Sequence, residues 1–373
     1  MKAVFIDRHG GPEVLKYGEL PDPVPNPGEI VADVHAASVN AADRKVRTGG
    51  SLYVQARFPH VLGRDFSGVV SAVGERVAEF RPGDAVFAVC DVGQEGAYAQ
   101  KIAIKAAIVA RKPASLGHVE AAALAVPGLT ALIAIEDTLR LRAGETILIQ
   151  GGAGGVGSVA IQLAKHIGAR VITTASAANH SYVRGLGADE VIDYNAQDFT
   201  KAASGCDAAL DTVGADVAQR SFAVLKPGGR AAFIASGSQA PKAPRGDVQS
   251  LRPNVARDRS HLDRLVALFE AGALRVPEVT RFPVSEAATA HRVSQTRHFR
   301  GKLVLVVKPG PRFEVLRRRT GAEGAHDQRV SNIKFSFVAK VCRSRANSLE
   351  SARRRRDKKK ARHPSTTLTK RLN

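Results

Sequence analysis

The chain has 373 residues, 44% of them hydrophobic, which is enough for one large or two ordinary domains around a real buried core. Its net charge of +20 is concentrated: residues 308–373 carry 20 Lys and Arg against 5 Asp and Glu, whereas 1–307 hold 35 basic and 30 acidic residues and are not composed as a nucleic-acid binder. The three cysteines, Cys90, Cys206 and Cys342, are far apart and in no metal-ligand spacing, so they exclude a disulfide framework and fit a reduced, cytoplasmic setting.

The first stretch, MKAVFIDRHGGPEV, has no apolar run of signal-peptide length. Residues 1–120 read as β-rich, with alternating runs such as EIVADVHAASV and FSGVVSAVG between Pro and Gly clusters. The longest nearly apolar run, Ala121 to Ile135, contains Pro127 and Gly128. It falls short of the about 18 residues a spanning helix needs, so no membrane segment is expected.

After about residue 140 the texture changes to short apolar strands alternating with helices. Strands are predicted at 146–150, 170–176, 190–194, 208–213 and 230–236. Between the first two, Val156, Val159, Ala160, Leu163, Ala164 and Ile167 share one helical face. A later helix over SHLDRLVALFEAG ends at Gly272. This alternation predicts an α/β architecture with a parallel, doubly wound sheet. Residues 275–307 return to strand character and end in KLVLVV. Beyond Val307 the chain has dense like charge and no sustained apolar period, so 308–373 reads as a disordered basic tail with one short strand candidate at 332–341.

The strongest local pattern is ETILIQGGAGGVGSVAIQLAK, a strand, a glycine-rich turn and a helix. Gly152, Gly154 and Gly157 fit G-x-G-x-x-G, which permits a tight turn, close approach to a pyrophosphate and close helix–strand packing. The helix N-terminus offers free N–H groups and partial positive charge to phosphates. Gly152, Ala153, Gly154, Gly155, Val156 and Gly157 are therefore expected to cradle a dinucleotide; the bland alternative is a plain tight turn. An NAD enzyme usually ends its second strand in Asp or Glu. Here that strand ends at Thr173 to Ser176, with Asn179 and His180 beyond and no carboxylate to repel a 2′-phosphate. Ser176 and Asn179, with Arg184 or Tyr194 adding to the pocket, point to NADP; the alternative makes Ser176 only a helix cap.

Nine segments, in order, resemble the zinc-independent quinone oxidoreductase branch of the medium-chain dehydrogenase/reductase superfamily. They are ASVNAADRKVRTG (37–49), FPHVLGRDFSGVVSAVG (58–74), RPGDAVFA (81–88), AVPGLTAL (125–132), GGAGGVGSVAIQLAK (151–165), LGADEVIDY (186–194), LDTVG (210–214), LKPGGR (225–230) and the closing SEAATAHRVSQTRHFRGKLVLVV (285–307). The resemblance implies a GroES-like substrate domain begun by 1–120 and rejoined by 271–307, a Rossmann NADP-binding domain over 121–270, and an active site in the cleft between them. It leaves the tail unmatched. It also implies that a catalytic zinc is missing: Asn40, Arg64 and the Val126–Pro127 region stand where alcohol dehydrogenases of the superfamily place zinc ligands, so no metal is expected.

By the same resemblance, Asn40 faces nicotinamide and substrate, and Lys45 polarises the acceptor or touches the coenzyme. Thr130 contacts the nicotinamide-side ribose or phosphate, and Val213, Gly214, Ala235 and Ser236 border the nicotinamide. Each has an ordinary alternative: Asn40 as a loop residue bonded to its own backbone, Lys45 as a solvated lysine. Asp43 and Asp65 read as structural carboxylates, and His291 and His298 as residues of a surface helix. The expected activity is NADPH-dependent hydride transfer to a quinone or α,β-unsaturated carbonyl, with 2-alkenal or enoyl-thioester reduction as the rival. The family commonly forms homodimers. A rival of another class is a nucleic-acid binder acting non-specifically through the tail at Arg353–Arg356 and Lys358–Lys360; the bland reading of that tail is a solvated extension or a reading-frame artefact.

Overall fold

The computed structural model describes residues 1–237 and 239–308; the expected tail and its strand candidate at 332–341 lie outside the described residues. The five predicted central strands form as Thr146–Gln150, Arg170–Ala175, Glu190–Asp193, Cys206–Asp211 and Leu225–Phe233. A sixth, Gln249–Leu251, is too short and too polar to stand out in the sequence. All pair in parallel. Numbered from Thr146–Gln150, their spatial order is 3-2-1-4-5-6, the doubly wound arrangement. The topological switch point lies between Thr146–Gln150 and Cys206–Asp211, where Gln150 faces Asp211 at the C-terminal ends.

The helix after the first of these strands, Gly155–Ile167, buries Val159, Ala160, Leu163 and Ala164 and stops at Gly168, whose φ of 91° suits a residue without Cβ. The later helix, Arg259–Glu270, is capped by Asp258, which accepts from the His261 N–H, and Gly272 follows its end with a φ of 71°.

A second sheet has seven strands. Its path runs Val279–Pro283, Lys302–Val306, Glu29–Ser38, Asp65–Val73, Ala85–Val89 and Val109–Arg111, and Lys101–Lys105 pairs with Glu29–Ser38 off that path. The late strands thus join a sheet otherwise made before residue 112. A small sheet of Lys2–Ile6, Lys16–Glu19 and His60–Val61 completes the β structure among the described residues.

The apolar run at 121–135 lies in a helix, His118–Leu132, that continues with a wider winding through Ile133–Thr138. By length and composition these 21 residues pass for a membrane span, longer than the sequence run indicated. The helix instead lies inside the protein. Ala122 and Ala123 pack on Ala36 and Val304 of the seven-stranded sheet, while Leu124, Leu129 and Leu132 share a core with Val159, Leu163, Leu262 and Leu265. A helix apolar all round is what such two-sided burial requires.

Two expectations are corrected: His298 is exposed but lies past its expected helix, which ends at Thr296. His291 belongs to the helix Ala287–Thr296 but is 1% exposed, with its ring edge-on to Tyr98 at 5.9 Å. Burial pushes its pKa down to about 3, so it is neutral at ordinary pH. The spacing of Ala287, Ala290 and His291 puts the imidazole on the apolar face of its helix.

Candidate active site

The glycine turn sits at the switch point. The first intrahelical bond is from Ser158 N–H to Gly154 O, which leaves the N–H groups of Gly155, Val156 and Gly157 without helical acceptors. Side chains are excluded by close approach. A Cβ on Gly152 would lie 2.2 Å from Thr173 Oγ1, and one on Gly157 would lie 2.3 Å from Gly151 O. The turn is tied to the neighbouring strand by Gly152 N–H to Thr174 O (3.0 Å) and Gly151 N–H to Thr174 Oγ1 (3.0 Å). These groups fit a dinucleotide's pyrophosphate: small, donor-rich and at the positive end of a 13-residue helix.

Beyond the second strand, Ser176 opens a short turn, Ala177–Asn179. Its hydroxyl makes no cap bond; it accepts from Asn179 Nδ2 at 3.1 Å. Arg300, just before the closing strand, reaches this turn and donates to Asn179 Oδ1 (2.9 Å) and Ala178 O (3.1 Å). Next to it, Gly301 N–H donates to Ala153 O at 2.8 Å, so the closing segment is stitched to the glycine turn itself.

The other wall is a buried polar cluster. Asn40 caps the helix Ala41–Arg47 and is 7% exposed. Its N–H donates to Asp43 Oδ2 at 2.8 Å, but its carboxamide faces elsewhere. Oδ1 accepts from Lys302 Nζ (2.8 Å), and Nδ2 donates to Ser38 O (3.1 Å). Lys302 Nζ also donates to Val39 O at 2.9 Å. The lysine stem lies against the glycine turn: a Cβ on Gly155 would be 2.7 Å from its Cδ and 3.3 Å from Pro127 Cγ. Thr130, buried one turn beyond Pro127, stands on the same helix.

Asp65 accepts from Ser38 N–H (2.9 Å) and Ser38 Oγ (2.6 Å). Asp43 also accepts from Tyr98 OH (3.0 Å), so both carboxylates are held largely by the loop around residues 38–40. Burial pushes Asp43 up to about 7, and Asp65 upward too, against the nearby Lys302 charge. Burial pulls Lys302 down, while Asp65 and Asp43 oppose that fall.

Sequence reasoning missed Lys302 and Arg300. The available clue was a pair of cations, Arg300 and Lys302, flanking a glycine at the start of an apolar strand. The remaining candidates are placed unevenly. Val213 and Gly214 donate through their N–H groups to Asp211 Oδ1 (3.0 Å each), and Gly214 lies against Ala235, whose O would be 2.9 Å from a Cβ there. Ser236 Oγ donates to Gln239 O (3.0 Å). Tyr194 is 48% exposed just past its strand. Lys45 is exposed on the helix that Asn40 caps, with no side-chain bond among the described residues. Arg64 faces Glu95 (3.2 Å) rather than Asp65. Among the described residues no three His, Cys, Asp or Glu side chains are grouped to hold a metal ion.

A 3-2-1-4-5-6 sheet with a glycine turn at its switch point, facing a polar wall from a mostly antiparallel β domain, defines a dinucleotide oxidoreductase of the medium-chain type. Comparison with known proteins agrees, and the chain belongs to the quinone oxidoreductase branch of the medium-chain dehydrogenase/reductase superfamily. Residues 26–123 match the alcohol dehydrogenase GroES-like domain and 186–305 the zinc-binding dehydrogenase domain. The chain is 32% identical to the chloroplastic NADPH-dependent alkenal/one oxidoreductase of Arabidopsis thaliana, over 83% of its own length and 80% of that protein's. Among solved structures, the quinone oxidoreductase from Coxiella burnetii is 35% identical with a TM-score of 0.77, covering 83% of this chain and 99% of that one. The Escherichia coli quinone oxidoreductase complexed with NADPH is 28% identical with a TM-score of 0.75, covering 82% and 100%.

Proposed function

We propose that the chain transfers a hydride from NADPH to a quinone or an α,β-unsaturated carbonyl compound without a catalytic zinc. The observation that carries this is the Lys302–Asn40 contact at 2.8 Å. An ammonium donating to the carboxamide oxygen of Asn40, a position where the resemblance puts a zinc ligand, supports this reading, as does Arg64, a cation at another such position. The donor set therefore does not suit Zn²⁺, which needs thiolate, imidazole or carboxylate ligands.

Bound NADPH supplies the hydride. The N–H groups of Val156 and Gly157 would bind its pyrophosphate, with Gly155 N–H turned to Gly301 O, and Ser176 with Asn179 would meet the 2′-phosphate. Thr130, Val213, Gly214, Ala235 and Ser236 border the nicotinamide end, and Tyr194 borders the adenosine end. As hydride reaches a conjugated acceptor, negative charge spreads toward its oxygen. Asn40 Nδ2 would donate to that oxygen by giving up its longer bond to Ser38 Oγ (3.3 Å), and the buried Lys302 ammonium beside Asn40 would stabilise the charge. Conjugation lowers the demand on these donors, which a simple ketone would not. Lys45 is proposed as a second cation at the rim.

The reading covers solution behaviour as well: a cytoplasmic enzyme, homodimeric, with the unmatched basic tail dispensable for turnover. The decisive experiment is a panel of quinones, 2-alkenals, enoyl thioesters and simple aldehydes, scored by NADPH consumption with and without a zinc chelator. Turnover of conjugated acceptors, unaffected by chelation, is expected. Activity on simple aldehydes alone, or activity abolished by chelation and restored by zinc, would overturn the proposal. Within the panel, preference for thioesters over quinones would favour the rival substrate class.

A further inference from the structure

Arg300 lies 121 residues after Asn179 in the chain, on the segment leading into the seven-stranded sheet, yet it is bonded to the turn expected to read the coenzyme's ribose. Its Nη1 pairs with Glu278 at 3.0 Å, and its guanidinium lies 5.0 Å from the centre of the Tyr182 ring. Nε donates to Asn179 Oδ1, and Nη2 to Ala178 O. The side chain is thus fixed at all three nitrogens.

That geometry imposes a direction on the next two bonds. A guanidinium has only N–H groups, so the asparagine atom facing it must be the carbonyl oxygen. The amide nitrogen of Asn179 is then turned toward Ser176 Oγ, 3.1 Å away, and donates to it. A serine hydroxyl has one proton and two lone pairs. With a lone pair occupied by Asn179, the proton of Ser176 is left for another acceptor, and the hydroxyl donates to no group among the described residues.

We propose that Arg300 is a positioning residue for coenzyme selectivity: through Asn179 it fixes the Ser176 hydroxyl as a donor aimed at the ribose 2′-phosphate. The proposal rests on the reading of Ser176 as a 2′-phosphate contact. Without Arg300 the carboxamide is free to turn over, Ser176 can donate to Asn179 Oδ1 instead, and its proton is withdrawn from the ligand. A charge-assisted bond to phosphate is about twice as strong as a neutral one to the 2′-hydroxyl, so the loss falls on NADPH and spares NADH.

The test is fluorescence titration of the full chain and of Ser176→Ala, Asn179→Ala, Arg300→Met and the Ser176→Ala/Arg300→Met double variant with NADPH and NADH. Arg300→Met is expected to narrow the NADPH preference about tenfold, equivalent to about 1.4 kcal/mol, with the NADH Kd held within about twofold. The double variant is expected to lose no more than Ser176→Ala alone, because both act on one contact. If Arg300→Met does not fold, Asn179→Ala breaks the same relay and leaves the Arg300 bonds to Glu278 and Ala178 in place. Equal weakening of both coenzymes by Arg300→Met would reduce it to a docking contact and overturn the proposal. So would an unchanged ratio in both Arg300→Met and Asn179→Ala when Ser176→Ala does narrow it. An unchanged ratio in Ser176→Ala would instead refute the underlying phosphate-contact reading.

Discussion

Replacing Gly157 by alanine probes the glycine turn with a single methyl group. The backbone φ at Gly157 is negative, so alanine meets no conformational penalty there; space decides the outcome. The new Cβ would stand 2.3 Å from Gly151 O and 2.9 Å from Gly151 C and Gly152 Cα, all backbone atoms. Ordinary contact needs about 1 Å more, and no rotamer change can supply it. Either the turn or the start of the helix must move, displacing the N–H groups expected to hold the pyrophosphate. Overpacking of this kind costs about 1–3 kcal/mol, or about 5- to 150-fold in NADPH Kd if the strain falls on the binding loop. Gly185 is the internal control, because a Cβ there meets nothing within 4 Å and its φ is unexceptional. Titration with NADPH and a thermal melt without coenzyme should show Gly157→Ala weakened in one or both and Gly185→Ala in neither. A Gly157→Ala protein with the parent's Kd and Tm would refute the claim that the turn requires glycine for close approach.

Lys302→Met keeps the stem packed on Gly155 but removes the ammonium from Asn40 and Val39. It should lower kcat on a saturating enone at least about tenfold, the scale of one transition-state donor, and an unchanged kcat would refute a role for that charge. Lys45→Met, on an exposed side chain, should lower kcat/KM no more than about fivefold and leave the NADPH Kd unchanged; a larger loss would put its ammonium at the reacting oxygen. His261 lies between Asp258 and Asp137, each at 2.8 Å. Burial alone would lower its pKa, but the bonds and charges of Asp137 and Asp258 outweigh this and raise it. The resulting stability is present below the unfolded value near 6.5 and is lost as pH rises through the higher folded value. Melting curves between pH 6 and 9 should therefore fall less steeply for His261→Ala; identical slopes would refute the linkage.

Much of the parallel sheet was legible because its strands are continuous apolar runs, buried on both faces and separated by turn residues. Gln249–Leu251 was not: an edge strand of three residues has no period to read. The glycine turn was legible because its geometry forbids side chains at fixed offsets. Asn40 could be singled out only by resemblance, and its pairing with Lys302 not at all, since 262 residues separate them and no local pattern links the two. The bond from Arg300 to Asn179, across 121 residues, was hidden for the same reason. His291 was misjudged because an imidazole in a polar-looking segment resembles a surface residue unless its neighbours Ala287 and Ala290 are recognised as the buried face. Local pattern thus reported elements and turns, while the side chains meeting across the two sheets depend on long-range closure.

The strand Lys302–Val306 lies between Val279–Pro283 and Glu29–Ser38, inside a sheet whose other members are mostly synthesised long before it. During translation, Lys101–Lys105 can cover residues 29–33 early, but the end of that edge at residues 36–38 must wait until the ribosome delivers residue 306, although the parallel sheet can already close at Leu251. A nascent or prematurely stopped chain ending before Lys302 would combine a finished nucleotide fold with an open stretch of β edge at residues 36–38, a template for pairing with other chains. Chaperone dependence and aggregation in cells should therefore change abruptly across that one strand rather than gradually with length.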